Sequence, residues 1–147
     1  ETGTLSFEAI AGATAAVDFL AGFGEGEDRR ARLRSSYARM HARGEALFAR
    51  LWHGMNEIPG VTTHGVAPGG PRTPTLGFEI AGADPREAAG ILGDQGVFVT
   101  HGDFYATMVV RRLAPHGRGI LRAGCAVYTT EDDVDRLLEG VRDLAAA

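Results

Sequence analysis

Apolar residues recur along the chain at two different periods, and the switches between them mark out its elements. From Phe7, positions Ile10, Thr14, Val17 and Leu20 follow at helical spacing to about Phe23, with Ser6 as N-cap and Glu8 in the first turn. Alanine and glycine fill the other positions, which permits close packing. Gly22, Gly24 and Gly26 stop this helix. No strand precedes them, so they read as a helix stop rather than a phosphate cradle. A second, longest helix is predicted over 29–55. Its stripe is Leu33, Tyr37, Met40, Leu47, Leu51 and Met55, widened by Phe48 and Trp52. Ile58-Pro59-Gly60 ends it, since proline cannot continue a helix and glycine supplies the turn.

Beyond this point the period shortens. A strand is predicted over 61–66, followed by a loop at Ala67-Pro68-Gly69-Gly70-Pro71. Leu76, Phe78 and Ile80 alternate with Thr75, Gly77 and Glu79, the pattern of a half-buried strand. Asp84-Pro85-Arg86-Glu87 starts a short helix, with Asp84 as cap, Pro85 in the first position and Glu87 closing a capping box. Ala88, Ile91 and Leu92 face inward, and Gly96 stops it. Val97-Phe98-Val99-Thr100 reads as an apolar strand cut off by Gly102, and 105–113 as a short helix. Pro115-His116-Gly117-Arg118-Gly119 is a turn, and 120–128 the last strand. Thr130 and Asp133 cap a final helix with the stripe Val134, Leu137, Leu138, Val141 and Leu144. The order predicts an α+β fold over residues 1–147 as one domain: a small sheet of about four strands, mainly antiparallel, with helices packed on one face.

Composition narrows the chemistry. With 147 residues, 44% hydrophobic and 23% charged, the chain sits in the ordinary globular range. No run approaches the roughly 18–20 apolar residues of a membrane span, and no basic n-region or cleavable apolar segment suggests a targeting peptide. Cys125 is the only cysteine, which excludes an internal disulfide and fits a reducing, cytoplasmic compartment. A net charge of −4 leaves no footprint for nucleic acid, despite the arginines of the second helix. All fifteen basic residues are arginine, so the chain itself offers neither a Schiff-base lysine nor a P-loop lysine. His41, His53, His64, His101 and His116 show no metal-ligand spacing, and no metal is expected. There is no Gly-x-Ser-x-Gly elbow. Cys125, between Gly124 and Ala126, reads as a small inert hydrophobe rather than a nucleophile. Arg122 stands out. A guanidinium in the apolar run Ile120-Leu121-Arg122-Ala123-Gly124 needs a carboxylate or a polar cavity, because burying it unpaired is costly. Its planar fork suits bidentate binding of a carboxylate. An internal Arg–Asp pair and a ligand-binding arginine both remain open on this pattern.

The string G-I-L-R-A-G-C-A-V-Y-T-T-E-D-D-V-D-R-L-L, from Gly119 to Leu138, resembles the C-terminal end of class V aminotransferase and cysteine desulfurase proteins. I-P-G-V-T-T-H-G, from Ile58 to Gly65, looks like that family's segment after its long helix. The stretch 75–102 is similar to its strand, capped helix and strand. Glu1-Thr2-Gly3-Thr4 ahead of Ile10-Ala11-Gly12 looks like its Gly-Thr lead-in to this domain. The resemblance spans essentially the whole chain but only the last part of such an enzyme, without the large domain that carries the Schiff-base lysine.

The resemblance implies a C-terminal small domain of a fold-type I, pyridoxal phosphate-dependent enzyme. The cofactor belongs to the parent enzyme, with none bound by this piece alone, which is expected to be catalytically silent. Arg122 matches the arginine that binds the α-carboxylate of an amino-acid substrate. Gly3 and Thr4 match the segment reaching the cofactor phosphate of a partner subunit, so a homodimer is implied. Thr100 and His101 fall where the family places groups near substrate, Thr100 for binding and His101 as a candidate proton shuttle. The family's sulfur nucleophile sits in a Gly-x-x-Cys-Ala pattern. Here that stretch is Gly102-Asp103-Phe104-Tyr105-Ala106, with Tyr105 in the cysteine's place and Cys125 out of register with it. A persulfide mechanism therefore does not carry over. Tyr105 reads as a packing residue ahead of an acid/base group. If the large domain is missing, an exposed apolar patch is expected on the first and second helices. The competing reading is a free-standing α+β interaction module without a cofactor role.

Overall fold

The structure, a computed structural model, describes residues 3–147. The chain divides into two compact units, Glu1–Arg43 and Gly44–Ala147. In the first, α1 (Phe7–Ala21) begins at Ser6, whose hydroxyl accepts from the Ala9 N–H at 3.4 Å. It ends at Gly22, whose N–H donates to the Asp18 carbonyl. α2 (Arg29–Asn56) starts behind Asp28, whose carboxylate accepts from the Ala31 N–H at 2.7 Å. The connecting turn fits closely, and a side chain on Gly24 would collide with the Arg32 carbonyl oxygen. Arg29 pairs with Asp18 at 2.8 Å. Periodicity places Tyr37 on the stripe, yet it is exposed, and Ser36 beside it is buried instead. The α1 stripe also faces outward. Only Ala21 of that helix is buried, whereas Phe7, Ile10, Val17 and Phe19 are exposed, an apolar surface of the kind the sequence leads one to expect.

The second unit holds β1 (Val61–His64), β2 (Thr75–Ile80), α3 (Pro85–Asp94), β3 (Thr100–Gly102), α4 (Thr107–Leu113), β4 (Ile120–Gly124) and α5 (Glu131–Ala146). The strands form one antiparallel sheet in the order β1-β2-β4-β3. The α+β architecture is as predicted. Alternation along β2 and β4 sends Leu76, Phe78, Ile80, Leu121 and Ala123 to one face. There they join Leu51 and Met55 of α2, Leu92 of α3, and Val134, Leu138 and Val141 of α5 in the main core. Leu138 seats against Gly54, where an added Cβ would collide with its side chain, so α2 and α5 approach closely. On the opposite face Ile120 meets Val110 and Ala114 of α4, with Phe104 packed against them. One helix thus covers part of the second face. Thr62, Thr75, Thr100 and Arg122 stand exposed on the rest of it.

Several boundaries differ from expectation. The third strand is not 97–100 but Thr100–Gly102. The N–H groups of Gly96 and Val97 donate to Gly93 and Leu92 carbonyls, and Gly96 has φ +76°, so these residues finish α3. The last strand stops at Gly124 and the first at His64. At α3, Asp84 alone caps, accepting from the Arg86 and Glu87 N–H groups, and the Glu87 arm of a capping box does not form. A full capping box closes α5 through Thr130 and Asp133. No helix of the described residues is long and apolar enough to cross a membrane.

Candidate functional site

Strand register places His64, Gly77, Arg122 and Thr100 in one cross-strand row on the partly open face. Arg122 alternates outward between buried Leu121 and Ala123 and is exposed. Its guanidinium carbon lies 4.1 Å from the centroid of the Phe104 ring. The Thr100 hydroxyl donates to the Arg122 carbonyl at 3.2 Å, fixing the strand edge beneath it. Among the described residues Arg122 pairs with no carboxylate, so the internal Arg–Asp pair left open by the sequence is not formed. Its charge is accommodated by solvent and an aromatic face, a solution the all-apolar look of the strand conceals.

Phe104 and Tyr105 occupy the turn between β3 and α4, both in the left-handed region at φ 54° and 60°. Asp103 holds the turn. One carboxylate oxygen accepts from the Tyr105 N–H at 3.2 Å, the other from the Thr107 hydroxyl at 2.5 Å. The Thr107 bond, then the Tyr105 N–H, keep the Asp103 carboxyl below its ordinary range. Tyr105 itself is fully exposed, so it joins no core cluster of the described residues. His101 pairs with Leu121 in the ladder and so points to the face opposite Arg122, at the sheet edge. The structure therefore brings Thr100 and Arg122 together and turns His101 away. Gly3 and Thr4 lie in the first unit and are exposed, with open space around Gly3.

Next to this row lies a cluster the sequence reading passed over. Glu79 accepts from His64 Nε2 at 2.8 Å with one oxygen and from His116 Nε2 with the other. The Arg118 N–H donates to His116 Nδ1 at 3.2 Å, which fixes the Nε2–H tautomer of His116. Burial pushes the Glu79 carboxyl up, but the hydrogen bonds from His116 and His64 outweigh it and leave the group below its ordinary range. The available signal was the alternation of β2, which puts Glu79 opposite Phe78 and Ile80. Its histidine partners come from distant positions that only the sheet register joins.

Cys125 is half-buried just past β4, and burial pushes its thiol up, away from the thiolate a nucleophile needs. It lines a cavity of about 380 Å³ with Val97, Val99, Val134 and Leu137. No group of three His, Cys, Asp or Glu among the described residues is arranged to hold a metal ion.

The family model for aminotransferase class V matches residues 1–137. This chain belongs to the aminotransferase class-V family. A probable cysteine desulfurase of Pseudomonas aeruginosa is 30% identical to this class-V chain over 136 residues, taking in 92% of it and 29% of the relative. Probable cysteine desulfurase 2 of Mycobacterium leprae is 33% identical over 102 residues, 69% of this chain and 24% of the relative. The crystal structure of the cysteine desulfurase CsdA from Escherichia coli superposes with a TM-score of 0.75 at 24% identity, covering 99% of this chain and 32% of that one. The apo cysteine desulfurase of Thermococcus onnurineus does so with a TM-score of 0.66 at 25% identity, covering 80% and 29%. The chain thus spans less than a third of the length of these class-V proteins.

Family membership implies pyridoxal phosphate in a whole enzyme. The residues described here do not by themselves make a site for it. The chain has no lysine to hold the cofactor as a Schiff base, and exposed Gly3 and Thr4 form no cradle.

Proposed function

We propose that this chain is the C-terminal small domain of a larger, fold-type I class-V enzyme acting on an amino acid, in which Arg122 binds the substrate α-carboxylate. The carrying observation is the state of Arg122: outward on the open sheet face, supported by Thr100 and Phe104, and without an acidic partner among the described residues. A scaffold arginine would be expected to carry such a partner. The planar fork can meet both oxygens of a carboxylate, which orients the substrate before any bond is broken. Thr100 contributes by tying the strand that carries Arg122 to the edge strand. Tyr105, exposed where related desulfurases are inferred to carry cysteine, offers a phenol but no sulfur nucleophile, so the reading does not include persulfide chemistry. Gly3 and Thr4 would approach the cofactor phosphate of a partner subunit, with a backbone N–H and a hydroxyl suited to an anion, in a homodimeric, cytoplasmic enzyme. The lysine and the rest of the cofactor site would come from the large domain.

The test is kinetic. In the full-length enzyme containing this chain, Arg122→Ala should raise KM for amino-acid substrates about ten-fold or more, the effect of losing a charge-assisted contact. An unchanged KM would make Arg122 a scaffold residue and favour the interaction-module reading.

A further inference from the structure

We propose that Phe104 is a positioning residue for Arg122, its ring setting where the guanidinium stands and presenting it ready to meet a carboxylate. The inference rests on the reading of Arg122 as the carboxylate-binding group, but its geometry is independent of substrate. An arginine on a largely open sheet face has many rotamers available. Here the Arg122 guanidinium carbon sits 4.1 Å from the Phe104 centroid, within the range of a cation–π contact. A guanidinium carbon held over a ring face at this distance is compatible with flat stacking, which leaves the in-plane N–H donors free for a bidentate partner.

The platform is itself held. The ring is half-buried and packs against the cluster of Val110 and Ala114 from α4 and Ile120 from β4. Its backbone is left-handed at φ 54°, as is that of Tyr105 at φ 60°, an arrangement that bulky residues rarely adopt without support. That support is the pair of bonds to Asp103 from the Tyr105 N–H and the Thr107 hydroxyl. Two constraints therefore converge on Arg122. Thr100 ties its backbone to the edge strand, and the Asp103 turn delivers an aromatic face beneath its side chain.

The experiment uses the 147-residue chain labelled with nitrogen-15, with Arg122→Lys identifying the Arg122 Nε–H signal by its loss. In the wild type that signal should be displaced by the ring current of Phe104 and be more ordered, by heteronuclear NOE, than that of exposed Arg86. Phe104→Leu keeps an apolar side chain on the α4 cluster. It should return the signal to the ordinary arginine position and lower its NOE, while Phe104→Tyr preserves both. Titration with acetate and with L-alanine should show affinity at Arg122 weakened about two- to five-fold in Phe104→Leu, the ratio corresponding to the loss of one cation–π contact. A signal that Phe104→Leu leaves in place overturns the proposal, as does unchanged carboxylate affinity in that variant. Should Phe104→Leu fail to fold, a wild-type Arg122 no more ordered than Arg86 overturns it equally. If neither probe moves Arg122 in any variant, the carboxylate reading falls, while the ring-current and NOE results still decide the positioning role.

Discussion

At the scale of single residues, the open face of the sheet is organised by charges whose neighbours differ in kind. Arg122 rests on an aromatic ring and a threonine, free of acids. On the neighbouring strand, Glu79 is enclosed by His64 and His116, with side chains 11% and 34% exposed around its own 20%. Because the folded carboxyl is held below its ordinary value of 4.5, its contribution to stability is present in full above that value and is lost as pH falls through the depressed one. Glu79→Gln should therefore lower stability at pH 7 by up to about 1.5–3 kcal/mol, the range for hydrogen bonds to a charged acceptor. Denaturation followed from pH 7 down to pH 3 should show the deficit shrinking as the wild-type carboxylate protonates. A deficit independent of pH would mean that the three side chains matter for packing and not for charge.

At the scale of elements, helix ends decide where strands can begin. The α5 capping box uses three bonds between Thr130 and Asp133, including the Asp133 N–H to the Thr130 hydroxyl at 3.2 Å and the Thr130 N–H to the Asp133 carboxylate at 2.8 Å. Thr130→Ala should cost about 1 kcal/mol, a fall in Tm of about 3 °C for a chain of this size. Glu87→Ala, at a position that makes no cap, should stay within about 0.5 kcal/mol. Matching losses in the two variants would contradict this assignment of the caps. The same physics shows what could be read in advance. Helix starts at Ser6, Asp84 and Thr130 were legible because a cap is local: one side chain and N–H groups two or three residues away. The start of β3 was not, because Val97, Phe98 and Val99 have strand composition but Val97 spends its N–H on the α3 terminus, and Phe98 is left 87% exposed. Arg122 was legible as an arginine out of place in an apolar strand. Its partner was not, because a ring from the following turn in space, eighteen positions earlier in the chain, reaches it only through the antiparallel pairing of β3 with β4. His101 stands apart from Arg122 for a related reason: adjacent residues of a strand face opposite ways, so only one of Thr100 and His101 can share a face with Arg122.

At the scale of the molecule, the first unit carries more apolar surface than a free-standing chain keeps without consequence. Phe7 and Phe19 of α1 are 68% and 65% exposed, with Ile10 and Val17 also exposed on a helix whose charged residues are only Glu8 and Asp18. Exposed apolar surface on this scale is the kind that marks a contact face. A net charge of −4 is a weak opponent, since ordinary salt screens it beyond about 10 Å. Within a larger class-V enzyme such a face would be covered by other polypeptide. On the chain by itself it should find a second copy. Sedimentation velocity should show the mean sedimentation coefficient rising with protein concentration and rising further in sulfate, which strengthens apolar association. The double variant Phe7→Glu, Phe19→Glu should sediment as a monomer at every concentration. Its melting should be little changed, because both side chains already face solvent. A wild-type chain that stays monomeric in concentrated sulfate would show that the α1 surface has no affinity for apolar partners. That result would withdraw α1 as the contact face of a larger enzyme and leave the small-domain reading to rest on Arg122 and on the likeness to longer class-V relatives.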